Sequence, residues 1–172
     1  YKKFTASSWF DNEIQKIVSI AASMATMAFN RAFTRLAEKE GDAVYCEKAG
    51  FAQFDCRAFN LAKEEVANYL YWRQADATRN SIQMVGQANF SHRELQNKSC
   101  SEIQDMLMLQ KGINWNNFPV QQKRGSCCIK EEYQAEDGIS RNRWIIDKEI
   151  PIFTGDDRSY IEDLIYVGET AD

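Results

Sequence analysis

Residues 62–89 read AKEEVANYLYWRQADATRNSIQMVGQAN, and the frame of the chain follows from them. Val66, Tyr69, Leu70, Arg73, Ala77 and Asn80 recur at three- and four-residue spacing, which predicts one long helix. Arg73, Asp76, Arg79 and Asn80 fall on a common face of it. Spacing leaves open whether that polar face is solvated or meets a ligand. Upstream, Ile14, Ile17, Val18, Ala21, Met24, Ala25, Ala28 and Phe29 repeat in the same way. They predict a second long helix from Asp11 to Glu40, with Asp11 as N-cap carboxylate and Gly41-Asp42 as the stop.

Between these helices, Ala43 to Cys46 and Gln53 to Phe59 are short and strand-like around Gly50. After them come two capping-box patterns, Ser91-His92-Arg93-Glu94 and Ser99-Cys100-Ser101-Glu102, which predict two short helices, the second ending before Gly112. Residues 112–119 form a loop rich in Asn and aromatics. Ser126 to Tyr133 and Arg143 to Asp147 read as an antiparallel pair around Asp137-Gly138, and Asp156 to Tyr166 as a closing helix. The expected architecture is mixed α and β (α+β), a single domain over residues 1–172.

Composition narrows the class. With 172 residues, 44% hydrophobic and 27% charged, the chain can bury a real core. No apolar run approaches the roughly 18 residues of a membrane span. The net charge of −4 lacks a general nucleic-acid signature, so any RNA contact must come from local patches. Five cysteines without CxxC spacing and a single histidine, His92, argue against disulfides and zinc. Reduced, mostly buried thiols in a cytoplasmic protein are expected. Cys127 and Cys128 are adjacent in a predicted strand and should point to opposite faces. His92 reads as a helix-surface residue in its capping box. The first residue is not Met, so the true N-terminus is expected upstream.

None of GxxxxGK[ST], GxSxG or HExxH is present. Several blocks nevertheless resemble one family in order and spacing. They are Trp9-Phe10 followed by Glu13-Ile14-Gln15-Lys16-Ile17-Val18, then Phe54-Asp55-Cys56-Arg57, then Trp72-Arg73-Gln74-Ala75-Asp76 running into Thr78-Arg79-Asn80-Ser81. Further on come Ser101-Glu102-Ile103-Gln104-Asp105-Met106-Leu107, Gly112-Ile113-Asn114-Trp115-Asn116-Asn117-Phe118-Pro119 and Lys123-Arg124-Gly125-Ser126. Together they resemble the tRNA-histidine guanylyltransferase family, with a looser likeness from Arg143 to Ile165 to its bacterial-type branch.

The resemblance implies a polymerase-palm-like domain, long helices on an antiparallel sheet, and 3′-to-5′ nucleotide addition to a tRNA 5′ end. The 5′ monophosphate is activated with ATP or GTP, and the 3′-hydroxyl of an incoming nucleotide attacks it. Two Mg²⁺ ions held by palm carboxylates neutralise the phosphates. Those carboxylates belong to an Asp-Gly and a Ser-Asp-Glu motif upstream of Trp9-Phe10. The chain is therefore expected to be a downstream part holding no catalytic or metal residue, and to be inactive alone.

The resemblance assigns Lys16, Arg57 and Asn114 to nucleotide binding, and Arg73, Asp76, Arg79, Asn80, Lys123 and Arg124 to tRNA. A lysine on the first turns of a helix offers phosphate a compact charge, although Glu13 stands where other members carry an arginine. Arg57 could fork phosphate oxygens or pair with Asp55 or Glu64. Trp115, Phe118 and Pro119 read as loop packing. Eukaryotic members show His-Ile-Asn-Asn where this chain has Thr78-Arg79-Asn80-Ser81. The latter form resembles the guanylyltransferase-like proteins that repair truncated tRNA 5′ ends. Family members assemble as tetramers with one tRNA crossing subunits, which would bring basic edges such as Lys123-Arg124 and Arg141 to Arg143 together. The alternative is a non-catalytic tRNA-binding or assembly module.

Overall fold

The computed structural model describes residues 8–166, which fall into two compact units, one ending at Leu61 and one starting at Ala62.

The first unit is built on α1, Ile14–Glu40. The helix starts later than the sequence suggests, and Asp11 is not its N-cap. Phe10, Asp11 and Asn12 take left-handed backbone angles (φ 50°, 49° and 63°) inside a 3-10 turn, Trp9–Asn12. A chain turning left-handed cannot run straight into a right-handed helix, so the start is deferred to Ile14, with Glu13 extended before it. Gly41 ends α1 as read, left-handed at φ 68° with its N–H on the Ala37 carbonyl.

Neither strand expected after Gly41 forms. Asp42 Oδ1 accepts from the N–H groups of Val44 (2.9 Å) and Tyr45 (3.2 Å), and this cap draws Ala43–Lys48 into a short helix, α2. Residues 51–61 carry no regular structure. At Ala52 and Phe54 their backbone bonds to α1 side chains instead of to a partner strand. Asn30 Nδ2 donates to the Ala52 carbonyl (2.8 Å), Asn30 Oδ1 accepts from the Ala52 N–H (3.0 Å), and Thr26 Oγ1 accepts from the Phe54 N–H (3.2 Å). The rings of Phe29, Phe33, Phe54 and Tyr45 meet pairwise beside these bonds.

The second unit hangs on α3, Val66–Asn89, which a 3-10 turn at Lys63–Glu65 leads in. Its two ends seat two separate hydrophobic clusters. The first gathers Ala67, Ile150, Phe153 and Ile161; the second gathers Ile82, Phe90, Ile103 and Leu107. Between them Gln74 is buried, donating from Nε2 to the Pro151 carbonyl (2.8 Å) and accepting at Oε1 from the Phe153 N–H (3.0 Å). At Gly86 the approach of the next helices is so close that a Cβ would lie 2.8 Å from Ile103 Cγ2.

Both capping boxes form as read. Ser91 starts α4, His92–Leu95, and Ser99 starts α5, Cys100–Lys111, each with the reciprocal glutamate bond. Their hydrogen bonds hold the Glu94 and Glu102 carboxyls below the usual glutamate range, from Ser91 Oγ first for Glu94 and from the Ser99 N–H first for Glu102. Gly112 closes α5 left-handed at φ 67°. A short helix, α6, Val120–Arg124, follows within what reads in sequence as loop and lead-in.

Among the described residues the sheet has two strands, β1, Cys127–Gln134, and β2, Ser140–Asp147, antiparallel with Cys127 opposite Asp147. The mixed α+β class therefore holds, with a hairpin in place of a broad sheet. The turn is the expected one, with Gly138 at φ 76°. At the hairpin's base the Tyr160 hydroxyl, carried on α7, Ser159–Ile165, donates to Asp147 Oδ2 (2.8 Å). Burial first, then that bond, pushes the Tyr160 phenol up, and burial raises the Cys127 thiol. All five cysteines are free. Cys127 is half-buried and Cys128 exposed, on opposite faces as expected, but Cys46 is exposed too and none is fully buried. The thiols are thus less sheltered than the sequence suggests, because 43–48 forms a surface helix. No described helix is long and apolar enough to cross a membrane.

Candidate functional site

The α3 face read from periodicity is real. Asp76 is its centre: Arg79 Nη2 lies 2.7 Å from Oδ1, Arg73 Nη1 3.6 Å and Asn80 Nδ2 3.3 Å from Oδ2. The Arg79 hydrogen bond, foremost, holds the Asp76 carboxyl below the usual aspartate range, and Asp76 in turn raises Arg79. Two guanidiniums thus share one ionised carboxylate, which orients both and leaves one excess positive charge. Arg73 also lies over the exposed Trp72 ring, 5.4 Å from its centroid. Fixed guanidinium forks beside an aromatic face suit the phosphates and bases of a nucleic acid. Thr78 turns away, its hydroxyl donating to the Gln74 carbonyl (3.0 Å).

Ser81 joins this face to the 112–124 segment. Its hydroxyl donates to the Gln122 carbonyl (2.7 Å) and accepts from Trp115 Nε1 (3.1 Å). Trp115 opens a 3-10 turn, Trp115–Asn117, that Asn114 caps by accepting from the Asn116 N–H (3.0 Å). Lys123 Nζ donates to the Asn116 carbonyl (2.7 Å) above the Trp115 ring. Asn114 and Lys123 are therefore brought to one turn, next to the arginine face, and Trp115 is loop packing as read. Arg124 points elsewhere, donating from Nε to the Ile150 carbonyl (2.9 Å). Ser81 and Gln74 stand inside motif blocks, yet nothing in their spacing signals these long-range bonds.

Lys16 and Arg57 lie in the first unit. Lys16 Nζ is 3.8 Å from Glu13 Oε2 and over the Phe10 ring. Arg57 pairs with Asp55 at 3.0 Å, both exposed. The arginines of the hairpin are paired as well: Arg141 with Asp137, and Arg143 with Glu131 (2.6 Å). His92 is exposed on α4. Among the described residues no group of three or more His, Cys, Asp or Glu could hold a metal ion.

No family model matches the chain. Solved structures do. A bacterial tRNA(His) guanylyltransferase (Thg1)-like protein in complex with ATP is 46% identical, superposes with a TM-score of 0.79, and is matched over 98% of this chain and 65% of its own. Another, in complex with GTP, is 42% identical with a TM-score of 0.70, over 97% of this chain and 62% of its own. Among curated proteins, an uncharacterized protein of Acanthamoeba polyphaga mimivirus is 25% identical over 163 residues, 89% of this chain and 54% of its own. Fold and motifs together define the class of guanylyltransferase-like proteins. At 46% identity along nearly its whole length, the chain is a relative of the bacterial Thg1-like proteins, and it spans under two thirds of their length.

Proposed function

We propose that the chain is part of a nucleotidyltransferase that adds nucleotides in the 3′-to-5′ direction to tRNA 5′ ends, in the repair branch of the guanylyltransferase-like proteins. The observation that carries this is the 46% identity to an ATP-bound Thg1-like protein. The Asp76-centred arginine face supports RNA contact, with Arg73 and Arg79 on backbone phosphates and Asp76 and Asn80 setting their geometry. Lys16, Arg57 and Asn114 are the residues for the nucleoside triphosphates, ATP and GTP. Mg²⁺ would supply charge neutralisation at the phosphates. Among the described residues no group of three or more His, Cys, Asp or Glu could hold it. We place the protein in the cytoplasm as a homotetramer; exposed Met24, Met27 and Phe29 on α1 are side chains that an assembly would cover.

The test is Mg²⁺-dependent addition of labelled GTP to 5′-monophosphorylated tRNA. The 172-residue chain alone should add nothing, and the protein encoded by the whole reading frame should add nucleotides. The latter should prefer a tRNA missing its first 5′ nucleotide over intact histidine tRNA in kcat/KM. An anticodon-dependent preference for intact histidine tRNA would overturn the repair reading. Tight tRNA binding without any addition would favour a non-catalytic module.

In the protein encoded by the whole reading frame, Lys16→Ala separates a nucleotide contact from a solvated lysine. A charge-assisted hydrogen bond contributes about 1.5–3 kcal/mol, so kcat/KM should fall roughly ten- to a hundredfold. Lys16→Arg should restore it in part, since a planar fork replaces a point charge. The melt should move by no more than about 0.5 kcal/mol. Unchanged kinetics would remove Lys16 from the site.

A further inference from the structure

Beside α3, against α4 and α5, runs a groove of about 460 Å³ that none of the residues discussed for RNA or nucleotide contact lines. Its apolar part is Phe90, Leu95 and Ile103, and its polar part is three amides, Gln83, Gln87 and Gln96, with His92 and Lys98. Among the described residues no carboxylate lines it. Glu94 and Glu102 are drawn off into their capping boxes, and Glu102 also pairs with Lys98 at 3.4 Å. The side chains of Gln87, Gln96 and His92 make no hydrogen bond among the described residues.

The lining holds a single ammonium, Lys98, itself paired with Glu102 at 3.4 Å, so neutral donors and acceptors make up most of its polar surface. Three amides over an apolar floor suit a planar heterocycle with both donor and acceptor edges, as a glutamine reads adenine with two hydrogen bonds. The volume falls within the range of small-molecule sites. The groove is continuous with the arginine face. Positions 73, 76, 80, 83 and 87 continue one helical stripe, and Arg79 Nη1 lies 3.5 Å from Gln83 Oε1. From Arg79 to Gln87 the helix rises about 12 Å. We infer that the groove receives an unpaired nucleobase of the RNA whose backbone lies on Arg73 and Arg79. This rests on the RNA-contact reading given under Proposed function. Proteins read RNA sequence mainly at unpaired bases, and neutral amides beside a cationic stripe are suited to that division of work.

The full chain should be titrated by fluorescence anisotropy with two labelled RNA hairpins, one blunt and one with a short single-stranded tail at either end. The tailed hairpin should bind roughly tenfold tighter, as one or two base-edge hydrogen-bond pairs would give. Gln87→Leu with Gln96→Leu should bring that ratio to one while leaving the blunt hairpin's affinity unchanged. Gln87→Glu with Gln96→Glu, at the same exposed positions, should do so too and guards against a folding defect in the first pair. Arg79→Ala should weaken both hairpins alike. If the chain binds neither hairpin, the RNA reading itself falls. Equal binding of both, or a tail preference that survives in both pairs of variants, overturns the groove and leaves the RNA reading standing. Saturation of the groove by AMP or GMP with no tail preference assigns it to free nucleotides and overturns the proposal as well.

Discussion

Leu107→Ala should cost about 2–5 kcal/mol and lower Tm by roughly 5–20 °C. Leu107 is the one described large side chain with no exposure at all, packed with Ile82, Phe90 and Ile103 where α5 crosses α3. Removing its methyl groups leaves a cavity that Ile103 cannot fill. That side chain is β-branched, buried, and already within 2.8 Å of where a Cβ on Gly86 would stand. Denaturant unfolding followed by circular dichroism measures the change. A loss under about 1 kcal/mol would mean that α5 does not pack on α3 as described.

Gln74→Leu should destabilise by about 2–4 kcal/mol despite adding apolar surface. It would leave the Phe153 N–H and the Pro151 carbonyl without their partner at a buried position. Gln74→Glu tests the geometry further. It keeps an acceptor for the Phe153 N–H but turns an oxygen toward the Pro151 carbonyl, so it too should destabilise. If Gln74→Leu were neutral, water would have to reach the 150–153 segment, and the buried amide would not be what holds it on α3.

Both residues show what a sequence can and cannot disclose. The starts of α4 and α5 were legible because a capping box is chemistry between residues three apart, and Gly112 marked the stop of α5. The polar face of α3 was legible because helical periodicity alone brings Arg73, Asp76, Arg79 and Asn80 together. Gln74, by contrast, bonds to residues 77 and 79 positions away, and no local pattern marks it. The strands expected at 43–46 and 53–59 failed for a related reason. A strand needs a partner, and Asp42 caps the first segment into a helix while Thr26 on α1 takes the Phe54 N–H of the second. The nucleotide residues Lys16, Arg57 and Asn114 came from family likeness. The amide-lined groove was invisible, since Gln96 joins Gln83 and Gln87 only once α4 folds back against α3.

The placement of the two clusters on α3 has a mechanical consequence. The helix is anchored at Ala67 near one end and at Ile82 and Gly86 toward the other, with Gln74 pinned between, so the arginine face occupies the supported middle of a beam. Fraying begins at helix ends, and the amides from Arg73 to Asn80 are those that can open only when one of the anchors releases. A polyanion bound there would meet cations whose spacing is set by the scaffold beforehand, with little ordering entropy left to be lost at the moment of contact.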